Sequence, residues 1–106
     1  GRSDASFIRP DGGRVVPEFF IHLIGVECND GTVEKFQLVQ RSAVELVVRV
    51  VGRGGLDAPG EESREKIVER IREAMGCACE VRFEAVSEIE PSPTGKHLYT
   101  LREKEV

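Results

Sequence analysis

Residues 33–51 place the tightest constraint on what this chain can fold into. Two runs rich in valine, leucine and phenylalanine, Val33–Gln40 and Glu45–Val51, are joined by a turn near Arg41–Val44. Branched and aromatic side chains suit a pleated surface, so the pattern predicts two consecutive strands. Glu61 then opens a helix in which Ile67, Val68, Ile71, Ala74 and Met75 fall at helical spacing. Glu61 and Glu62 suit the positive end of its dipole, and Gly76 ends it. The stretch "CEVRFEAV" (79–86) alternates Val81, Phe83 and Ala85 with Glu80, Arg82 and Glu84, the pattern of a half-buried strand.

Upstream, Ser6–Arg9 and Arg14–Val16 read as short extended segments around "PDGG" (10–13), whose glycines supply the positive φ of a tight reversal. Pro17 suits the first turn of a helix, "PEFFIHLIG", with Phe20, Leu23 and Ile24 on one face and Gly25 as its C-cap. This helix is apolar enough that much of its circumference should be covered. "NDG" (29–31) signals a turn and "GRGGLDAPG" (52–60) a glycine-rich loop. The order is hairpin-α-β-β-α-β followed by an extended tail. This is an α+β domain, an N-terminal β-hairpin plus a small mixed sheet of about three strands packed with two helices.

At 106 residues, 1–106 is expected to be a single domain. The content of 40% hydrophobic and 32% charged residues describes a globular chain, with net charge −4. One tyrosine, no tryptophan and no basic face argue against nucleic acid as a partner. The apolar runs are too short to cross a bilayer, and the N-terminus lacks the apolar core of a signal peptide. Three cysteines fit a reducing cytoplasm better than a disulfide scaffold. Cys77 and Cys79 form C-x-C, without the two-to-four-residue gap and second ligand pair of a zinc site, so small buried thiols and no metal are expected. The chain opens Gly1-Arg2-Ser3-Asp4 without methionine, and is expected to be part of something longer.

Several motifs fail on inspection. Gly95-Lys96 is not a P-loop: Glu90 stands at the first glycine position, His97 follows the lysine, and no helix pattern comes after. "GRGG" (52–55) lacks the third glycine of a dinucleotide fingerprint, and Pro59 interrupts the approach to the helix. His22 has no acid or nucleophile nearby in sequence and reads as a packed or edge histidine. Glu62 and Lys66 form an i,i+4 pair on a solvated helix face. Lys96 remains. Pro91 and Pro93 stiffen its approach, and Gly95 lets the chain bend. A lysine projected from a stiff, exposed loop is suited to reach another body and stabilise negative charge as it develops.

The two ends of the chain, "GRSD" (1–4) and "PSPTGK" (91–96), resemble the opening hinge and closing lysine motif of the C-terminal domain of acyl-adenylate-forming enzymes. "RVVPEFFIHLIGV" and "FQLVQRS" look most like the phenylacetate–CoA ligase branch and its capsular-polysaccharide-associated relatives. The resemblance implies an ATP-dependent acid–CoA ligase whose large N-terminal adenylation domain would hold ATP, Mg²⁺ and the carboxylic acid. Lys96 would contact the carboxylate and the ATP phosphate as acyl-AMP forms. Asp4 would be the hinge about which the domain turns, and Arg2 would sit near the nucleotide. Gly12, Gly13 and Arg14 would lie where the family's hairpin approaches coenzyme A. Many members carry a second acidic residue after the hinge, where this chain has Ala5, and which glycine faces the thiol stays open. The alternative is a stand-alone ferredoxin-like small-molecule-binding module, which the α+β pattern also fits.

Overall fold

The computed structural model describes residues 4–103. Strands β1 (Phe7–Ile8) and β2 (Arg14–Val15) form a two-stranded antiparallel hairpin. Helix α1 (Pro17–His22) follows, with Pro17 in its first turn, where the missing N–H costs nothing. The helix does not stop at Gly25, as the sequence suggests. It widens into a π turn over Leu23–Glu27 capped at Cys28, whose amide donates to the Leu23 carbonyl (2.8 Å). The Asn29 side-chain amide donates to the Gly25 carbonyl (3.0 Å). Asparagine, four residues on, therefore does the capping expected of glycine, and burial of Leu23 and Ile24 holds the extra turn.

Strands β3 (Val33–Ser42) and β4 (Glu45–Gly52) pair antiparallel, confirming the two predicted strands and extending each slightly. Helix α2 spans Glu61–Met75, and strand β5 spans Glu80–Ala85. The N-cap of α2, Gly60, has no side chain to offer, so a residue from the 29–31 turn serves instead. Asp30 Oδ2 accepts from the Gly60 amide (2.9 Å) and the Ser63 hydroxyl (3.1 Å). The Thr32 hydroxyl, first, and then the Gly60 and Thr32 amides hold the Asp30 carboxyl well below its usual range, with a smaller contribution from Ser63.

The sheet has four strands, not about three, in the order β5-β4-β3-β6. The extended tail supplies β6 (Thr100–Arg102), parallel to β3, while β5 lies parallel to β4 on the other edge. Three residues carry too little period-2 pattern to announce a strand; pairing with β3 makes them one. Phe36 and Leu38 of β3 and Leu46, Val48 and Val50 of β4 face the core with Phe7, Phe20, Ile67, Ile71 and Met75. Their alternates Val39, Val47 and Val51 are buried on the second face. Both central strands are thus covered on both sides, which explains the near-continuous apolar run "ELVVRVV". Strand β5, at an edge, leaves Ala85 exposed with its charged neighbours although it shares a face with Val81 and Phe83. Cys28 and Cys79 are buried and Cys77 half-buried, all free thiols. Burial, then the neighbouring Cys77, pushes the Cys79 thiol up to about 11.

Candidate functional site

The chain leaves edge strand β5, crosses the second face of the sheet as residues 86–98, and returns at the opposite edge as β6. Ile89 and Leu98, 7% and 4% exposed, pin the two ends of this crossing to the sheet. Between them the backbone closes into a tight turn. The Gly95 amide donates to the Ser92 carbonyl (2.8 Å), and the Ser92 amide donates to that of Lys96 (2.9 Å). Gly95 sits at φ +83, a conformation that side-chain-bearing residues rarely adopt. Lys96 projects from this turn, exposed, its side chain without a partner among the described residues. Under the loop lies an open cavity of about 510 Å³, lined in part by Gln37, Arg49, Glu84, Glu88 and Pro91.

The stem of the lysine turn is held from the sheet. Gln37, only 5% exposed, donates through Nε2 to the Leu98 carbonyl (3.0 Å). Arg49 Nη1 donates to Gln37 Oε1 (3.3 Å), and Arg49 Nε lies 3.5 Å from a Glu84 carboxylate oxygen. A polar relay therefore runs across β5, β4 and β3 to the base of the loop. His97 Nε2 lies 3.2 Å from the Phe36 carbonyl, and its ring meets Tyr99 edge to face at 4.6 Å.

Asp4 reaches the same stem from the other end of the sequence. Its Oδ1 accepts from the Tyr99 amide (2.6 Å) and the Thr100 amide (3.2 Å). The Ala5 amide donates to the Thr100 carbonyl (3.2 Å), and the buried Thr100 hydroxyl donates to the Ala5 carbonyl (2.8 Å). The structure brings Asp4 and the strand that follows Lys96 together. Arg2 lies outside the described residues.

Gly12, Gly13 and Arg14 are placed elsewhere. All three are exposed at the hairpin tip. The hairpin packs on the helix face of the sheet: Phe7 meets Phe20 at 4.7 Å, and the buried Gln40 side chain bonds both the amide and the carbonyl of Ile8 (2.9 and 2.7 Å). The lysine loop covers the opposite face. The tip is closed by its own residues. Asp11 Oδ1 accepts from the Gly13 amide (2.8 Å), and the Gly12 amide donates to the Arg9 carbonyl (3.0 Å). Arg9 also donates to Asp11 and, through Nη1, to the Ala74 carbonyl near the end of α2 (3.1 Å). The Gly13 amide, first, and then the Arg9 guanidinium lower the Asp11 carboxyl below its ordinary value. Both glycine amides are already engaged, so Arg14 is the group the tip offers outward.

Sequence reasoning missed Gln37 and Gln40. Their signal was present, two amides three residues apart in the apolar run "FQLVQ". A buried side-chain amide needs partners, and here each fastens an incoming segment to the central strand.

Residues 7–103 match the family described as the CapK C-terminal domain. No curated protein matches the chain. Among solved structures, it resembles a 2-hydroxyisobutyryl-CoA ligase in complex with 2-HIB-AMP and CoA in the thioesterification state, at 22% identity and TM-score 0.55. The alignment covers 97% of this chain and 22% of that one, so the chain spans about a fifth of that ligase. It also resembles a domain of phenylacetate-coenzyme A ligase from Bacteroides vulgatus ATCC 8482, at 11% identity and TM-score 0.57, covering 95% of this chain and 96% of that one. At these identities the likeness is one of fold.

Proposed function

The chain belongs to the CapK C-terminal domain family, and from that membership we propose that it is the mobile C-terminal domain of an ATP-dependent acid–CoA ligase. The observation that carries this reading is the lysine turn. Lys96 stands at the tip of a hydrogen-bonded, sheet-anchored loop, with its stem tied to Asp4. In the longer enzyme the N-terminal domain would hold ATP, Mg²⁺ and the acid.

In the first half-reaction a carboxylate oxygen attacks the α-phosphorus of ATP, forming acyl-AMP and releasing pyrophosphate. Lys96 donates to the oxygens on which charge accumulates, acting as a point charge aimed before the reaction begins. In the second, a thiol of coenzyme A attacks the acyl carbonyl carbon and AMP leaves. Rotation about Asp4 withdraws Lys96 and presents the hairpin, where Arg14 meets a phosphate or pyrophosphate of the incoming coenzyme. Placement of the two tips on opposite faces of the sheet supports such an exchange. A stand-alone ferredoxin-like module fits less well, because the sheet centre here is an antiparallel hairpin rather than strands joined through helices. The acid-activating part of this reading draws its support from the family and from the fold shared with the ligase neighbours.

The test uses the full-length ligase with phenylacetate and 2-hydroxyisobutyrate at the head of an acid panel. Lys96→Ala should slow acyl-AMP formation by roughly 10²–10³, a lost transition-state contact of about 3–4 kcal/mol. Supplied with synthetic acyl-AMP and coenzyme A, the same variant should form thioester at nearly the parent rate. Equal slowing of both half-reactions, or of neither, would make Lys96 an ordinary surface lysine.

A further inference from the structure

Asp4 is the residue that the hinge reading uses only for its backbone, yet its carboxylate has a built environment of its own. One oxygen receives two consecutive amides, Tyr99 at 2.6 Å and Thr100 at 3.2 Å. Two further bonds join Ala5 to Thr100, one through each backbone group of Ala5. Residues 4 and 5 thus run alongside the start of β6 as an added partial strand, separated from it by nearly the whole sequence. Thr100 is completely buried, so its amide and hydroxyl have no water to turn to. Only three residues separate Lys96 from Thr100, and one of them, His97, is itself held to the Phe36 carbonyl.

A backbone hinge needs no carboxylate. Any residue without a ring or a β-branch turns about φ and ψ as freely as aspartate does. What aspartate adds is a charged acceptor for two amides, a stronger and shorter bond than a neutral group makes. We propose that the Asp4 carboxylate is a latch that fixes β6, and through it the Lys96 turn, to the point about which the domain rotates. Asp4 is then a positioning residue for Lys96: rotation at the hinge is delivered to the lysine without slack. The catalytic part of this inference rests on the ligase reading above; the latch itself does not.

Two substitutions separate latch from hinge. Asp4→Ala keeps the backbone freedom and removes the acceptor; Asp4→Asn keeps an acceptor oxygen without the charge. In the 106-residue chain, amide exchange at Tyr99 and Thr100 should quicken about tenfold or more in Asp4→Ala and stay within about threefold of wild type in Asp4→Asn. Amides of the β4–β5 pair serve as the internal reference, so general loss of stability would show as parallel acceleration there. In the full-length ligase, on the same acid panel, Asp4→Ala should slow acyl-AMP formation about tenfold relative to thioester formation from synthetic acyl-AMP, and Asp4→Asn should restore most of it. Unchanged exchange at Tyr99 and Thr100 in Asp4→Ala overturns the latch, whatever the enzyme does. Faster exchange with an unchanged ratio of half-reactions overturns the positioning role. Parallel acceleration at the reference amides assigns Asp4 to fold stability and overturns both. A wild-type ligase that makes no acyl-AMP on the panel overturns the ligase reading and the positioning role with it, and leaves the exchange result to decide the latch.

Discussion

The hairpin tip at 10–14 and the lysine turn at 92–96 each place an exposed cation just beyond a glycine of positive φ: Arg14 after Gly12 (φ 90), Lys96 after Gly95 (φ 83). They are secured differently. The hairpin tip satisfies itself, with Asp11 and Arg9 closing the loop within four residues and one guanidinium bond reaching α2. The lysine turn closes its own backbone, but its stem is held by distant residues, Asp4 from the N-terminus and Gln37 from the middle of the sheet. A loop stabilised locally keeps its shape wherever it is; a loop stabilised by remote residues takes its position from them. The second arrangement suits a group that must arrive at one place in another body.

The largest break in that comparison should come from Gln37. Gln37→Ala strips the Leu98 carbonyl and Arg49 of a buried partner and leaves a gap beneath the loop, costing about 2–3 kcal/mol. Arg9→Ala, at a side chain about a third exposed, should cost only about 0.5–1 kcal/mol. Urea unfolding of the two variants measures the difference. Equal costs would mean that the hairpin tip depends on remote support as much as the lysine turn does.

A smaller effect sharpens it. An added Cβ at Gly12 or Gly95 meets nothing within 4 Å, so only backbone strain opposes alanine at either site. Gly12→Ala and Gly95→Ala should each lose about 1 kcal/mol. Thermal unfolding should rank them together, while in the full-length enzyme, on the ligase function we propose, only Gly95→Ala should depress acyl-AMP formation. A marked difference in stability would expose a contact made by one turn alone.

The smallest effect is a pH dependence confined to the hairpin. The Asp11 carboxyl is held below its ordinary value of 3.8 by the Gly13 amide and by Arg9. A carboxyl depressed in the folded state contributes stability above its ordinary pKa, and that contribution is lost as pH falls through the lower folded value. The Gly13 amide resonance should therefore move toward a random-coil position as pH falls below the ordinary carboxyl value of 3.8. The Gly95 amide, which donates to a carbonyl with no proton to gain, should hold its shift over the same range. Common movement of both signals would indicate global acid unfolding instead of local loosening at the tip.

Much of the fold was legible because its signals are local. Pro17, the spacing of Ile67, Ile71 and Met75, the stop at Gly76 and the alternation of 80–85 each depend on a few adjacent residues. Equally local signals determined the element order, the glycine-rich turns at 10–13 and 52–60, and, through Pro91, Pro93 and Gly95, the loop that presents Lys96. Tertiary structure decided what depends on partners far away in sequence. Thr100–Arg102 became a strand because β3 offered an open edge, and α2 gained its cap from Asp30 because the fold brought the 29–31 turn to Gly60. Gln37 and Gln40 became anchors when the fold carried Leu98 and Ile8 to them, and Asp4 acquired its two amides only when β6 was in place. Periodicity and turn chemistry are short-range properties of a chain, whereas the partner of a buried polar group is chosen by how the chain closes on itself.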